Sequence, residues 1–118
     1  MYPGVRLHCR GKGRIVVKDG SYLNRDTRVF SGKEVVLEKG CMIAWQVIIT
    51  DLKGLSTGDY TPDFAPVVLM DRVWVGSRAV ILGGTYLGPG CVVAAGSIVQ
   101  GRFPGGAVIA GRPAEVIL

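Results

Sequence analysis

Residues 67–99 read VVLMDR VWVGSR AVILGG TYLGPG CVVAAG SIV, and this stretch decides the fold. The first position of every hexad is small or β-branched, and the third position is aliphatic. The third-position residues are Leu69, Val75, Ile81, Leu87, Val93 and Val99. A period of six matches neither the 3.6-residue repeat of an α-helix nor the alternation of an ordinary strand. It is typical of a parallel β-helix, in which each hexad forms one short flat face of a coil.

The same pattern occurs earlier in two shorter runs, with aliphatic positions at Val17, Leu23 and Val29 and then at Leu37, Ile43 and Ile49. The step from Val29 to Leu37 is eight residues, which predicts a corner widened by two residues at 31–33. Between Ile49 and Leu69 the repeat stops, and glycines and prolines predict a loop that leaves the coil at 51–66. With three faces per turn, the chain is expected to be all-β, with about four to five turns.

The repeat predicts a narrow core in which inward Val, Ile and Leu side chains stack from one turn to the next. We expect residues 1–118 to form a single domain, with the first residues and the segment 104–118 as caps of the two exposed strand edges. Cys41 and Cys91 occupy small positions of the repeat. Both are therefore expected to be buried packing thiols rather than bridges or metal ligands.

The chain is basic, with 14 Lys and Arg against 9 Asp and Glu and a formal net charge of +5. Nucleic acid is the first partner that such a charge indicates, yet no nucleic-acid motif occurs and the only dense basic segment is 6–18. A small anionic ligand, such as a phosphorylated cofactor or a nucleotide-linked sugar, fits the scattered arginines better. No stretch approaches the roughly 20 apolar residues of a membrane span, so a cytoplasmic protein is expected.

Four segments resemble the hexapeptide-repeat acetyltransferases, and within them most of all the sugar and polysaccharide O-acetyltransferases. The segments are GCMIAWQVIITD at 40–51, PVVLMDRVWVGSRAVIL at 66–82, GCVVAAGSIV at 90–99 and VIAGRPAEVI at 108–117. The resemblance extends from about residue 13 to the end. It implies a left-handed β-helix that assembles as a homotrimer, with active sites in the clefts between subunits.

The resemblance also implies an acetyl-coenzyme A donor that lies along the outside of the C-terminal turns. Small residues would let its pantetheine arm approach the backbone, and an arginine would hold a phosphate. The positions that match the family's coenzyme-lining residues are Trp74, Ser77, Ala94, Ala95, Gly96, Gly111, Arg112 and Pro113. Trp45 is expected to face outward near a corner, in the trimer interface or in the acceptor cleft.

One departure from the family concerns the loop after Ile49. The family places a histidine there, which removes the proton of the acceptor hydroxyl during its attack on the thioester. Here the matching position is Gly54 or Leu55, and neither side chain accepts a proton.

Three interpretations remain open. His8, the only histidine, could reach the cleft of a neighbouring subunit, although it precedes the loop by about two turns. A carboxylate could serve instead, Asp51 before Asp59 or Asp63, if it were strongly desolvated. Alternatively, the chain is a catalytically inactive trimer that binds a ligand or serves as a structural module.

Other enzyme classes fit the sequence less well. One histidine cannot supply the three ligands of a β-helix carbonic anhydrase, so no metal site is expected. Ser97 lies in a repeat position rather than in a Gly-x-Ser-x-Gly turn. The glycines at 11 and 13 lack the Gly-Lys-Ser/Thr sequence of a phosphate-binding loop.

Overall fold

The structure is a computed structural model that describes residues 2–118, and this part of the chain forms a left-handed parallel β-helix of five coils. The first coil contains β1 (Arg6–Cys9), β2 (Arg14–Val17) and β3 (Tyr22–Leu23), and the second contains β4 (Arg28–Ser31), β5 (Glu34–Leu37) and β6 (Met42–Ile43). The third coil begins with β7 (Ile48–Thr50), is interrupted by β8 (Leu52–Leu55) and β9 (Pro62–Phe64), and continues with β10 (Val67–Leu69) and β11 (Trp74–Val75). The fourth contains β12 (Val80–Ile81), β13 (Tyr86–Leu87) and β14 (Val92–Val93), and the fifth contains β15 (Ile98–Val99), β16 (Arg102–Phe103) and β17 (Val108–Gly111), followed by β18 (Ala114–Val116). The fold class predicted from the hexads is confirmed.

Each coil contributes one strand to each of three parallel sheets. Sheet 1 runs in the order β1-β4-β7-β12-β15, sheet 2 in the order β2-β5-β10-β13-β16, and sheet 3 in the order β3-β6-β11-β14-β17-β18. The register follows the repeat, so Val75 pairs with Ile43 on one side and with Val93 on the other. We call the turn from sheet 1 to sheet 2 the first corner, and the turn from sheet 3 to sheet 1 of the next coil the third corner.

The core is the predicted column of stacked aliphatic side chains. All six third-position residues between 69 and 99 are at most 1% exposed, and the first-position residues of the same hexads are at most 2% exposed. The two earlier runs are equally buried from Leu23 onward. Because each inward side chain packs on its counterparts one coil away and on the other two faces of the prism, the repeat itself builds one continuous core.

Residues 52–64 form a β-hairpin rather than an irregular loop. β8 and β9 pair antiparallel through Leu52–Phe64 and Leu55–Pro62, with an irregularity between Leu52 and Gly54. The Asp59 carboxylate closes the hairpin turn because it accepts hydrogen bonds from the side chain of Ser56 and from the backbone and side chain of Thr61. The glycines and prolines that predicted a loop therefore mark a turn between two short strands.

Residues near both termini contact the outer strands of the prism. β18 turns back and pairs antiparallel with β17, which covers the C-terminal edge of sheet 3. At the other end, Tyr2 donates its N–H to the Leu23 carbonyl of β3 at 3.3 Å, and the Pro3 carbonyl accepts the N–H of Asp26 at 3.3 Å. That the first residues and the segment 104–118 serve as caps stays a prediction.

The burial predicted for Cys41 and Cys91 is confirmed, since both side chains are fully enclosed. The Cys41 thiol points to the Met70 carbonyl at 3.2 Å, and the Cys91 thiol to the Pro104 carbonyl at 2.9 Å. Burial raises the pKa of each thiol. Cys9 is exposed on β1, and all three cysteines are free.

Candidate functional site

An apolar groove of 310 Å³ lies on the outside of sheet 3, where it meets the third corner. Trp45 and Trp74 are both about half exposed and line the groove, at 51% and 54%. Met42 pairs with Trp74 in the sheet and provides apolar lining next to it. Trp45 faces outward as predicted, and its place in the trimer interface or in the acceptor cleft stays a prediction.

The structure brings most of the predicted donor residues together along the third corner. Trp74 and Ser77 line the groove itself. One coil further on, Gly96 donates its backbone N–H to the Ser77 carbonyl at 2.9 Å, which places the Ala94–Gly96 turn directly beside Ser77. Residues so far apart in the sequence become neighbours because corners of successive coils stack.

Arg112 closes this column at its C-terminal end. Its Nε donates a hydrogen bond to the Gly96 carbonyl at 2.8 Å, and the side chain remains exposed. Gly96 has a φ of +72°, and a Cβ there would lie 3.2 Å from Nη2 of Arg112. Glycine adopts this left-handed conformation without strain, and its lack of a Cβ leaves room for the guanidinium. Arg112 lies in the turn between β17 and β18, flanked by Gly111 at the end of β17 and by Pro113.

A second cation of the same corner lies one coil below Gly96. Arg78 donates its Nε to the side-chain oxygen of Gln46 at 3.0 Å, and its backbone N–H to the Trp45 carbonyl at 3.0 Å. Both hydrogen bonds hold the exposed guanidinium at the rim of the corner. The third corner thus combines an apolar groove, small residues and two anchored arginines.

Asp51 lies away from the third corner. It is fully buried at the first corner, next to the corner of the coil below. Its Oδ2 accepts hydrogen bonds from the Ser31 hydroxyl at 2.9 Å and from the backbone N–H groups of Lys33 and Glu34 at 2.8 and 2.7 Å. Its Oδ1 accepts the N–H of Gly32 at 2.9 Å. The buried carboxylate thus accepts four hydrogen bonds, three on Oδ2 and one on Oδ1.

The predicted catalytic role of Asp51 therefore stays a prediction, while the geometry gives this side chain a structural role. Its carboxylate holds the widened corner that the eight-residue step predicted at 31–33. Its carbonyl accepts the N–H of Ala65 at 2.9 Å, so the chain leaves and rejoins the coil at hydrogen-bonded neighbours.

The hairpin presents no histidine where the family would place one. Leu55 is 57% exposed at the end of β8, and Gly54 precedes it in the same strand. The hydrogen bonds from Ser56 and Thr61 hold the pKa of Asp59 below its usual range. A carboxyl group with a lowered pKa is a weaker base, so Asp59 is poorly suited to take the proton of a hydroxyl.

His8 lies on the outside of sheet 1, two strands away from the start of the hairpin. It pairs with Phe30, which pairs with Thr50, so His8 and Thr50 are separated by about 9–10 Å. Its ring stacks on Phe30 with centroids 5.3 Å apart. His8 is not among the residues that line the groove, and a role in a neighbouring subunit stays a prediction.

Two further findings concern residues 2–118 alone. They contain no group of three His, Cys, Asp or Glu side chains arranged to hold a metal ion. They also contain no helix of the length and apolarity that crossing a membrane requires.

Comparison with known proteins agrees with this geometry. Residues 66–101 match the family described as bacterial transferase hexapeptide (six repeats). The match confirms the hexapeptide repeat over these residues and the resemblance to hexapeptide-repeat acetyltransferases.

One curated relative covers nearly the whole chain. It is the putative lipopolysaccharide biosynthesis O-acetyl transferase WbbJ of Escherichia coli K12, which is 35% identical over 127 aligned residues. The match includes 97% of this chain and 65% of the relative, so the chain spans less than two thirds of that protein.

Solved structures of low sequence identity share the fold. The hexapeptide-repeat acetyltransferase VCA0836 of Vibrio cholerae, solved with acetyl-coenzyme A, superposes with a TM-score of 0.85 at 21% identity over 100% of this chain and 69% of its own. The N-acyltransferase AntD of Bacillus cereus, solved with a dTDP-amino sugar and coenzyme A, gives 0.86 at 17% identity over 97% and 65%. At these identities the similarity establishes the coil architecture.

Sequence reasoning missed the aromatic stack beside the hairpin. Phe64 of β9 stacks on Phe30 with centroids 6.2 Å apart, and its ring covers Gly32. The only sequence signal was the glycine in the widened corner, which gave no indication of which side chain would cover it.

Proposed function

We propose that this chain transfers an acetyl group from acetyl-coenzyme A to a hydroxyl of a sugar or nucleotide sugar. The observation that carries the proposal is the third corner, where Trp74, Ser77, Gly96 and Arg112 line one side of the prism. The O-acetyl transferase name of the E. coli relative supports the reaction, and the acetyl-coenzyme A in the V. cholerae structure supports the donor. A cytoplasmic location remains part of the proposal.

The third corner suits a long, flexible thioester. The apolar groove between Trp45 and Trp74 would take the pantetheine arm, whose length requires a path along several coils. Ala94, Ala95 and Gly96 keep that path open because their side chains are small. Arg112 would bind a phosphate of the donor, since its Nε is held by Gly96 and its Nη groups remain available.

We further propose that the functional unit is a homotrimer. The outer surface of sheet 1 carries exposed Ile48 and Ile98, at 43% and 37%. Together with Trp45, these residues form apolar surface suited to contact with flat faces of other subunits. A cleft between subunits would also bring the Leu55 end of a hairpin close to a neighbouring donor groove.

The transfer step itself needs no metal. The acceptor oxygen forms a bond to the acetyl carbonyl carbon, the carbon–sulfur bond breaks, and the hydroxyl proton ends on the departing thiolate. Without a histidine on the hairpin, proton removal depends on water or on a group from another subunit. We expect slow turnover, because losing a general base costs about 10²–10⁴-fold in rate while binding and positioning persist.

The proposal is tested by an acceptor-dependent assay of coenzyme A release with a panel of sugars and nucleotide sugars. Release that depends on an acceptor and falls with Arg112→Ala supports the reaction. Binding of acetyl-coenzyme A without acceptor-dependent release would instead identify a catalytically silent binding trimer. Lys39→Ala is the matched control, because Lys39 is an exposed cation on a different corner.

A further inference from the structure

A second pocket of 250 Å³ lies on the first corner, between the first coil and the hairpin. It shares no lining residue with the groove of Trp45 and Trp74. Its lining consists of Arg10, Gly11, Lys12, Gly32, Pro62 and Phe64. The pocket therefore combines two cations with an apolar wall from the hairpin.

The two cations face no competing carboxylate. Arg10 and Lys12 are exposed, and neither forms an ion pair with any residue between 2 and 118. The nearby Glu34 is paired with Arg14 at 3.6 Å, and both oxygens of Asp51 are occupied by the corner above. Asp63 lies between Pro62 and Phe64 in β9 but is not among the residues that line the pocket.

The apolar wall is held rigidly. The Phe64 ring stacks on Phe30, and Phe30 stacks on His8. A Cβ at Gly32 would lie 2.5 Å from the Phe64 ring, so any larger residue would displace it. The corner glycine thus fixes a flat aromatic surface beside Arg10 and Lys12.

The backbone at this corner already binds an anion one coil higher. There the N–H groups of Gly32, Lys33 and Glu34 hold the Asp51 carboxylate at 2.7–2.9 Å. In the first coil, Cys9 aligns with Ser31 and Arg14 with Glu34. The equivalent corner is therefore residues 10–13, four residues in place of two.

In the part of the chain that is described, the N–H groups of Gly11 and Lys12 in this longer corner donate to no protein acceptor. Both residues line the pocket, together with Arg10 and the Phe64 ring. The lining therefore offers two cationic side chains, an aromatic ring and two residues whose backbone donors have no protein partner.

We propose that this pocket binds a phosphate or diphosphate group that is joined to a flat ring. Arg10 and Lys12 hold the phosphate oxygens through charge-assisted hydrogen bonds, and the ring packs against Phe64. The pocket is smaller than the roughly 300–1,000 Å³ typical of sites that enclose a whole ligand, so part of the bound molecule extends into solvent.

Calorimetric titration of the whole chain with pyrophosphate and with uridine diphosphate tests the site. Uridine diphosphate is expected to bind more tightly, because only it carries a ring. The double variant Arg10→Ala/Lys12→Ala should lower the affinity for both ligands by about tenfold or more. Phe64→Leu should reduce the affinity for uridine diphosphate to near that for pyrophosphate. Lys39→Ala, which removes an exposed cation from another corner, should change neither.

Two outcomes would overturn the site. One is the absence of binding by either probe at millimolar concentration and low salt. The other is an equal loss in Lys39→Ala and in the double variant, which would mean unspecific attraction to a basic surface. Because the donor groove shares no residue with this pocket, the titrations are repeated with saturating coenzyme A and with Arg112→Ala. If saturating coenzyme A or the Arg112→Ala substitution abolishes the binding of uridine diphosphate, this ligand occupies the third corner. The site proposed here is then wrong.

Discussion

The carboxylate of Asp51 accepts a hydrogen bond from the backbone N–H of Glu34 at 2.7 Å, which ties the start of the hairpin to the coil below. The same carboxylate oxygen also accepts the N–H of Lys33 and the hydroxyl of Ser31. The family resemblance places the Asp51 side chain near catalysis, whereas in this structure it stabilises the widened corner.

Asp51→Asn should destabilise the fold by about 2–4 kcal/mol, because an uncharged amide replaces a buried carboxylate that accepts four hydrogen bonds. Urea unfolding measures the change in the free energy of unfolding. Asp19→Asn is the control, and we expect it to change that free energy very little because Asp19 is exposed. A variant of full stability that loses only acetyl transfer would contradict the structural role and favour a catalytic one.

Leu87→Ala should cost about 2–5 kcal/mol, because it opens a cavity at a fully buried position of the core. Val92→Ala removes an outward, half-buried side chain from the next face and should cost about 1 kcal/mol or less. Thermal melting of both variants decides the matter. Equal losses of stability at the two positions would contradict a core that is defined by the six-residue repeat.

The buried cysteines predict a loss of stability in alkali. Burial raises the pKa of Cys41 and Cys91 above the ordinary value of 9.0, so the folded protein keeps both thiols neutral. The unfolded chain ionises at lower pH, and the stability that these thiols contribute is present below about pH 9 and lost as the pH rises through their folded pKa.

Denaturant unfolding at a series of pH values between 8 and 11 measures this dependence. Replacing Cys41 and Cys91 by Ala should flatten it, whereas Cys9→Ala should leave it unchanged because Cys9 is exposed. An identical alkaline decline in the double variant would show that other groups cause it.

Leu55→His should increase acetyl transfer to a hydroxyl by tenfold or more, since it supplies a general base on the exposed end of the hairpin. The rate should depend on a group that titrates near the ordinary histidine range. Leu55→Gln is the control, because it is polar but cannot take the proton. A gain of equal size with glutamine would argue against general-base catalysis at this position.

The coil and its core follow from the sequence because a parallel β-helix is a local repeat. Val75 and Ile81 are buried because each occupies the inward third position of its hexad, as do the residues six positions away. The arrangement of the third corner could also be predicted from the sequence, since the stacking of successive coils brings Gly96 and Arg112 together.

The eight-residue step predicted the widened corner at 31–33, but the hairpin and the contacts at that corner could not be predicted in this way. The contact of Phe64 with Phe30 joins residues from a strand outside the repeat to residues within it. Asp51 reads in the sequence as the first residue of an exposed loop, and only the positions of four donors from the coil below explain its burial. Tertiary contacts outside the period therefore carried the information that was missing.

The most direct test of the central claim is a calorimetric titration of the chain with acetyl-coenzyme A. Binding with measurable heat, accompanied by a rise in melting temperature and weakened by about tenfold in Arg112→Ala, is the predicted result. No heat and no thermal shift at millimolar ligand would contradict the claim that the third corner holds the acetyl donor.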